Sequence, residues 1–535
     1  MYRYVQLLSL YMKFIEGKDR FQTSLFPVSL DGSIDENNEV RVIDLFVESL
    51  ELKPFGFEVD FVDNGRPAYH PKDLLKLYIY GYLNRIRSSR GLEKETKRNI
   101  ELMWLLKGLS PDHNTINNFR KDNPKAIKKV FRRTVEIARN FDLIGGILIA
   151  GDGTKLRAQN SKKNNYNQKK IDRHLAYINR KLKEYNQAHA LADGDQKQEL
   201  EKKIDKQKNH QSKYQKIEKE LIESGEKQVS TSDPESRQIM IRGVISEVAY
   251  NIQSTVDAKN KLPIDYEVTN ENDSGAMGKM VKRAKTILGK NDFSVLFDKG
   301  YHKGKELDAV QKLGIKTYVA IPGIPKTSQA PNPAYNAENF AYDTDSDTYT
   351  CPAHQTLKST QTWYKTRGYK FKQYKTVACS NCPVRSECTK SKNGKIIHRS
   401  EYQPAVEQNR INIEAEPDFY KQRQSVVEHP FGTMKRQWGF DHIMTKKSKK
   451  HASADVGLIF VAYNLRRLIN IIGIKQFREY LKPIVLQLFD KIAYQLSYSA
   501  LTFSKSILNI NYWSQSKPLQ KISKTETLSN LQYAV

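Results

Sequence analysis

Residues 418–438 read D-F-Y-K-Q-R-Q-S-V-V-E-H-P-F-G-T-M-K-R-Q-W. The stretch mixes an acid, Glu428, with two bases, Arg423 and Lys435, and two aromatics, Tyr420 and Trp438. If it is helical, Glu428 and Lys435 are seven residues apart, about two turns, and share a face. An acid on one face with Arg and Lys can hold a cation while the bases hold a phosphate. The plainer reading is an amphipathic helix with a solvated charged face. Pro430 and Gly432 argue against that reading, because both are costly inside a helix and need compensation. An acid of this kind acquires chemical meaning only if further carboxylates lie upstream at the ends of strands.

Two such positions exist. The run I-G-G-I-L-I-A-G-D-G-T-K-L predicts a buried strand over Ile144–Ala150, with Asp152 at its end. The run F-S-V-L-F-D-K-G-Y-H-K-G predicts a second buried strand over Val295–Phe297, ended by Asp298. A turn aspartate in D-G is the common alternative at Asp152. Between these strands, residues 240–270 alternate in the β manner, and D-A-K-N-K makes a hairpin turn. Asp257 falls in that turn and reads as structural. A helix is expected over Met277–Leu288, another over Lys303–Leu313, and a strand in K-T-Y-V-A-I-P.

The motifs resemble those of bacterial insertion-sequence transposases of the DDE type. Tyr420, Arg423, Glu428 and Lys435 resemble the Y-R-E-K signature, with four residues instead of three between Arg423 and Glu428. The D-x-G-Y form at Asp298 resembles the second-aspartate motif. The resemblance spans about residues 65–475. It implies an α/β fold: a ribonuclease-H-like mixed sheet flanked by helices, in which the first strand, the fourth strand and the last helix converge. Asp152, Asp298 and Glu428 would then be the catalytic and magnesium-binding residues. Tyr420, Arg423, Lys435 and Trp438 would contact DNA, the two rings by stacking on a displaced base. Three clustered carboxylates repel one another, and two Mg²⁺ ions would relieve that repulsion and activate phosphoryl transfer.

The remaining chain divides around this core, expected at 141–321 and 416–475. Residues 1–140 predict a helical DNA-binding or dimerisation domain. In it, Pro71 opens a helix bearing Leu74, Leu75, Tyr78 and Tyr82, a second helix lies at 93–107, and a third is capped by Ser110 or Asp112. Residues 160–235 predict a helical hairpin, with a heptad seam through Ile171, Leu175, Ile178, Leu182 and Tyr185, broken at A-D-G-D. Residues 322–415 carry Cys351, Cys379, Cys382 and Cys388. Their C-x-x-C pair and closed set of four predict a structural zinc, with His354 as an alternative ligand and free buried thiols as the plainer outcome. A mixed apolar helix over Val456–Ile472 closes the core, and 476–535 form an extension.

Composition fixes the partner class. Lys and Arg number 88 against 60 Asp and Glu, a net charge of +28, which implies a polyanion, most simply double-stranded DNA, with an anionic membrane surface as the rival. With no apolar run near ~20 residues and no secretion-signal pattern at Met1, we expect a cytoplasmic, nucleoid-associated protein without a membrane partner. The expected function is cleavage and transfer of insertion-sequence ends by a homodimer on DNA. The rivals are a nuclease of the same fold that does not join strands, and an inactive DNA-binding repressor.

Overall fold

The computed structural model describes residues 29–59, 68–241, 245–366, 368–491 and 493. The extension predicted at 476–535 lies largely outside them. The described chain is mixed α/β, with two six-stranded sheets.

Among the described residues the first α-helices are α1 Glu39–Glu48, α2 Leu52–Phe55, α3 Pro71–Leu83, α4 Ser89–Thr96, α5 Ile100–Leu105, α6 His113–Asp122 and α7 Pro124–Asn140. Pro71 opens α3 as expected, and the His70 ring accepts from the Lys72 N–H. Every residue of α3 from Leu74 to Leu83 is buried. Among them is Lys76, which is paired with Asp44 at 2.6 Å and Glu48 at 2.7 Å. The single helix expected at 93–107 is two. Asn99 turns out of the helix and accepts from the N–H groups of Glu101 and Leu102, so it caps a new one. Asp112 caps α6 through the N–H groups of Asn114 and Thr115.

The first sheet is built on β1, Leu148–Arg157, which differs from the expected strand. Gly145 and Gly146 form a turn instead, with both N–H groups given to the Asp257 carboxylate. The strand therefore starts later, and Asp152 sits within it and not at its end. β1 runs antiparallel to β3, Ile245–Asp257, along nine paired positions from Ile149↔Asp257 to Arg157↔Ala249. On its other side it is parallel to β5, Ser294–Phe297, only over Leu148–Ala150. Asp152 thus lies just past the end of the parallel pairing. β6, Lys316–Val319, continues parallel to β5. β2, Arg237–Ile241, and β4, Leu262–Thr269, both flank β3 antiparallel. The spatial order is β4-β3-β1-β5-β6, with β2 beside β4 on the same side of β3.

Between β1 and β2 the chain makes the expected hairpin, α8 Gln168–Leu191 and α9 Gly194–Ser224. Ile171 and Ile178 of the seam are buried, and Ile171 packs with Ile217 and Leu221. Helices α10, Met277–Leu288, and α11, Gly304–Gln311, connect β4, β5 and β6. The second sheet is antiparallel: β7 Ala341–Asp343, β8 Thr348–Thr350, β9 Thr356–Ser359, β10 Tyr364–Thr366, β11 Tyr369–Lys375 and β12 Ile397–Ser400. Four helices follow among the described residues: α12 Gln403–Ala415, α13 Pro417–Gly432, α14 Lys449–Ile472 and, after a sharp bend, α15 Ile474–Lys491. α14 is buried along most of its length. Among the described residues no single helix is long and apolar enough to cross a membrane.

Candidate functional site

The site forms where α13 crosses the middle of β1. Val426 and Val427 of α13 pack on Leu148 and Ala150 of β1, Val256 of β3 and Leu296 of β5. Asp152 shares their strand face, since side chains alternate with period two. The glycines on either side of it point the other way and are sterically required. A Cβ at Gly151 would lie 2.0 Å from the Phe297 ring, and one at Gly153 would lie 2.4 Å from Asp273.

Arg423 on α13 reaches Asp152 at 3.4 Å, closing the contact despite the longer spacing to Glu428. Burial pushes the Asp152 carboxyl up to about 6, Asp298 and Asp273 adding to the shift while Arg423 and the Gly153 N–H oppose it. The carboxylate at the end of β5 is therefore close enough for its charge to be felt at Asp152. Asp298 itself accepts from the Gly300 N–H at 2.5 Å, which fixes the turn Lys299–Tyr301.

Helix α13 runs through Pro430 and Gly432 without a break and passes into a π-helical turn, Thr433–Gln437. Pro430 has no N–H to give, and the Thr433 hydroxyl donates to the neighbouring His429 carbonyl at 2.9 Å. An extra residue in a helix turn changes where later side chains point. Here Lys435 is delivered onto β1, where its ammonium meets the Thr154 hydroxyl and the Lys155 carbonyl, each at 3.1 Å. Glu428 lies on α13 between these two anchors, Arg423 and Lys435. It is exposed, and one oxygen accepts from Gln424 at 3.0 Å. Tyr420 is half-buried against the Val426–Val427 cluster. Trp438, half-buried, packs edge-on against Phe440 and tilted against Tyr463.

Behind β1 lies a polar network that the motifs did not reveal. Asp273 accepts from Asn251 at 2.8 Å and Gln253 at 2.7 Å, and pairs with Lys155 at 2.8 Å. Gln253 in turn accepts from the Tyr301 hydroxyl at 2.5 Å. These bonds hold Asp273 below the ordinary carboxylate value against its burial. A signal was present in the sequence: Asn251, Gln253 and Thr255 alternate along β3, and all three are buried. Polar residues at inward positions of an apolar strand indicate a network.

Away from this site, Cys351, Cys379, Cys382 and Cys388 are free thiols lining one cavity of about 30 Å³, roughly the space of a single water molecule. Burial pushes the Cys388 thiol up, and the other three thiols add to that. His354 does not line this cavity. As the side chains stand, no three His, Cys, Asp or Glu among the described residues group tightly enough to hold a metal ion.

Comparison with known proteins bears on both halves of the chain. Residues 28–122 match the family described as Transposase domain (DUF772), and residues 350–469 match that described as Transposase DDE domain. The second match takes in the four cysteines, Glu428 and Lys435. No curated protein matches the chain. Among solved structures, a cryo-EM structure of the piggyBac transposase synaptic complex with hairpin DNA is similar at 9% identity. It covers 84% of this chain and 77% of that chain, with a TM-score of 0.29. Residues 28–122 are thus similar to a transposase domain and residues 350–469 to a transposase DDE domain.

Proposed function

We propose that the chain binds the ends of an insertion sequence and performs metal-dependent cleavage and transfer of DNA strands. One observation carries the reading: three separate elements bring chemistry to one point on β1. Asp152 lies at the centre, the Asp298 charge reaches it from β5, and Arg423 reaches it from α13. The strand order β4-β3-β1-β5-β6, with the first two pairings antiparallel and the last two parallel, supports a ribonuclease-H-like core at 141–321 and 416–475. On this reading residues 1–140 bind DNA or dimerise, 160–235 and 322–415 are inserts, and 476–535 an extension.

Each residue then has a task. Asp152 and Asp298 are hard oxygen donors drawn together against their own repulsion, a donor set suited to Mg²⁺. Glu428 completes that set from α13. Magnesium, when bound there, would supply Lewis-acid stabilisation and a more acidic water or 3′-hydroxyl. Without a cation, Arg423 holds the negative charge on Asp152. Lys435, fixed to the edge of β1, offers a point charge to a phosphate. The four thiols line one small cavity and would have to draw closer than they stand to hold a structural zinc, a closed set with no open position for chemistry.

The test is a gel shift on end-sequence DNA beside a Mg²⁺-dependent cleavage assay. Asp152→Asn, Asp298→Asn and Glu428→Gln should each abolish cleavage and leave binding largely intact, since binding rests on the basic surface. Cleavage retained by any one of them removes that residue from the site. Cleavage without joining by the unaltered chain would make it a nuclease only.

A further inference from the structure

Arg423 is held differently from the other bases around β1. Lys155 stands 2.8 Å from Asp273, and the Lys435 ammonium meets two oxygens at 3.1 Å. The Arg423 guanidinium has several N–H donors. Among the described residues its one hydrogen-bond acceptor is Asp152 Oδ2, at 3.4 Å. A settled guanidinium–carboxylate bond is about 2.8 Å long and is often two-pronged. The contact with Asp152 is long and single, so it is easily exchanged for a better one.

The sequence explains why this base leans on this acid. Arg423 precedes Glu428 by five residues, which puts the two about 140° apart around α13. Side chains on one helix pair at three or four residues, and Glu428 accordingly accepts from Gln424 at 3.0 Å. Arg423 is left near the face that Val426 and Val427 press onto β1, and there it meets Asp152.

The two oxygens of Asp152 are not equivalent. Oδ1 accepts from the Gly153 N–H at 2.7 Å, a donor that the strand fixes in place. Oδ2 is met by the Arg423 side chain, which can swing away. Both side chains are shielded from water, with 18% of Arg423 and 27% of Asp152 exposed, so charges here are weakly screened. A divalent ion and a guanidinium on one oxygen repel each other and therefore compete for it. A phosphate competes for the other partner, because it can accept two N–H groups of the guanidinium fork at once.

We propose that Arg423 is a gate on the metal site. In the chain without DNA its guanidinium covers Asp152 Oδ2 and keeps divalent-ion affinity low. A DNA phosphate that takes the guanidinium uncovers that oxygen, so the ion loads onto the complex and not onto the free protein. Linkage makes the effect reciprocal: the ion must also tighten DNA binding. The proposal rests on the reading of Asp152 as a metal-binding residue in a protein that acts on DNA.

Mn²⁺ binding to the full chain, read from the loss of the free-ion signal in electron paramagnetic resonance, tests it apart from cleavage. Without DNA, Arg423→Gln should bind Mn²⁺ about tenfold more tightly than wild type, within the usual span of coupling between two sites. Arg423→Lys keeps the charge and should stay near wild type. End-sequence duplex should raise the wild-type affinity by a similar factor and add little to that of Arg423→Gln. Asp152→Asn, run in every arm, gives the background from DNA phosphates and the protein surface. Unchanged melting temperatures show that the variants are folded, and the wild-type arms with and without duplex need no variant at all. Suppose Asp152→Asn removes the tight site. The gate is then overturned if Arg423→Gln binds as wild type does, if Arg423→Lys behaves as Arg423→Gln, or if duplex leaves the wild-type affinity unchanged, and the metal-dependent reading stands. If Asp152→Asn binds Mn²⁺ as tightly as wild type in every arm, Asp152 holds no ion and both fall.

Discussion

Asp273 pairs with Lys155 on β1 and, through Gln253, with Tyr301, three residues beyond Asp298. It therefore ties the strand that carries Asp152 to the loop that follows Asp298. Asp273→Asn keeps the shape but loses the Lys155 ion pair. Cleavage should fall by about tenfold or more, the size typical for outer residues that orient a metal site, with DNA binding unchanged. Equal cleavage rates in parallel time courses would reduce Asp273 to a packing role. Gly151→Ala places a methyl against the Phe297 ring and should destabilise the fold by about 1–3 kcal/mol, read from denaturant midpoints. At this scale the sequence was partly legible. Acids after apolar runs stand out, so Asp152 and Asp298 could be singled out. Asp273 could not, because N-D-S-G reads as an ordinary turn and its partners are strand residues some twenty positions away.

The helix that carries Glu428 and Lys435 shows what the sequence could and could not give for an element. Pro430 and Gly432 signalled that something unusual had to compensate, and the π-helical turn at Thr433–Gln437 follows them directly. The turn itself is invisible to periodicity, because a one-residue surplus looks like noise in a short pattern. If Lys435 holds a phosphate, Lys435→Ala should lower the salt slope for duplex binding by about 0.9, and an unchanged slope across a salt series would return it to an ordinary surface lysine. The second sheet was missed for a different reason. Its strands are three to seven residues long, and β10, Tyr364–Thr366, is exposed throughout, so alternation had little to act on. The cysteine spacing marked the place without the strands. Cys379→Ser should release zinc, measured by metal analysis of reduced protein, and lower the melting temperature of the whole chain. Reduced wild type without zinc would sink the metal assignment.

Across the whole molecule, a buried charge cluster joins the first helices to the last. Asp455 of α14 is paired with Arg87 at 2.7 Å and Arg120 at 3.3 Å, and it also accepts from Tyr82 and from the Met444 N–H. Asp455→Ala would leave two guanidinium groups buried without their carboxylate and should cost about 3–5 kcal/mol in equilibrium unfolding. Burial pushes this carboxyl up, but Arg87, Arg120, Tyr82 and the Met444 N–H outweigh it, and the group is held below its ordinary value. Folded Asp455 thus binds its proton more weakly than unfolded Asp455. Its contribution is complete above about pH 4 and is lost as pH falls further. Asp455→Asn should flatten the acid limb of a stability–pH curve below pH 4, and an unaltered limb would place the acid sensitivity elsewhere. None of this could be read from the sequence, since Asp455 sits in an apolar helix more than three hundred residues from both arginines.

The contact between Arg423 and Asp152 spans 271 residues of chain. At a synthesis rate of about 5–20 residues per second, roughly 15 to 50 seconds separate the emergence of the two. For that interval β1 and its acid exist without the helix that brings Arg423, Glu428 and Lys435. On the proposed function, a polypeptide still on the ribosome would have no cutting site, whatever DNA it had met. A chain ending before Pro417 should hold DNA and leave it uncut.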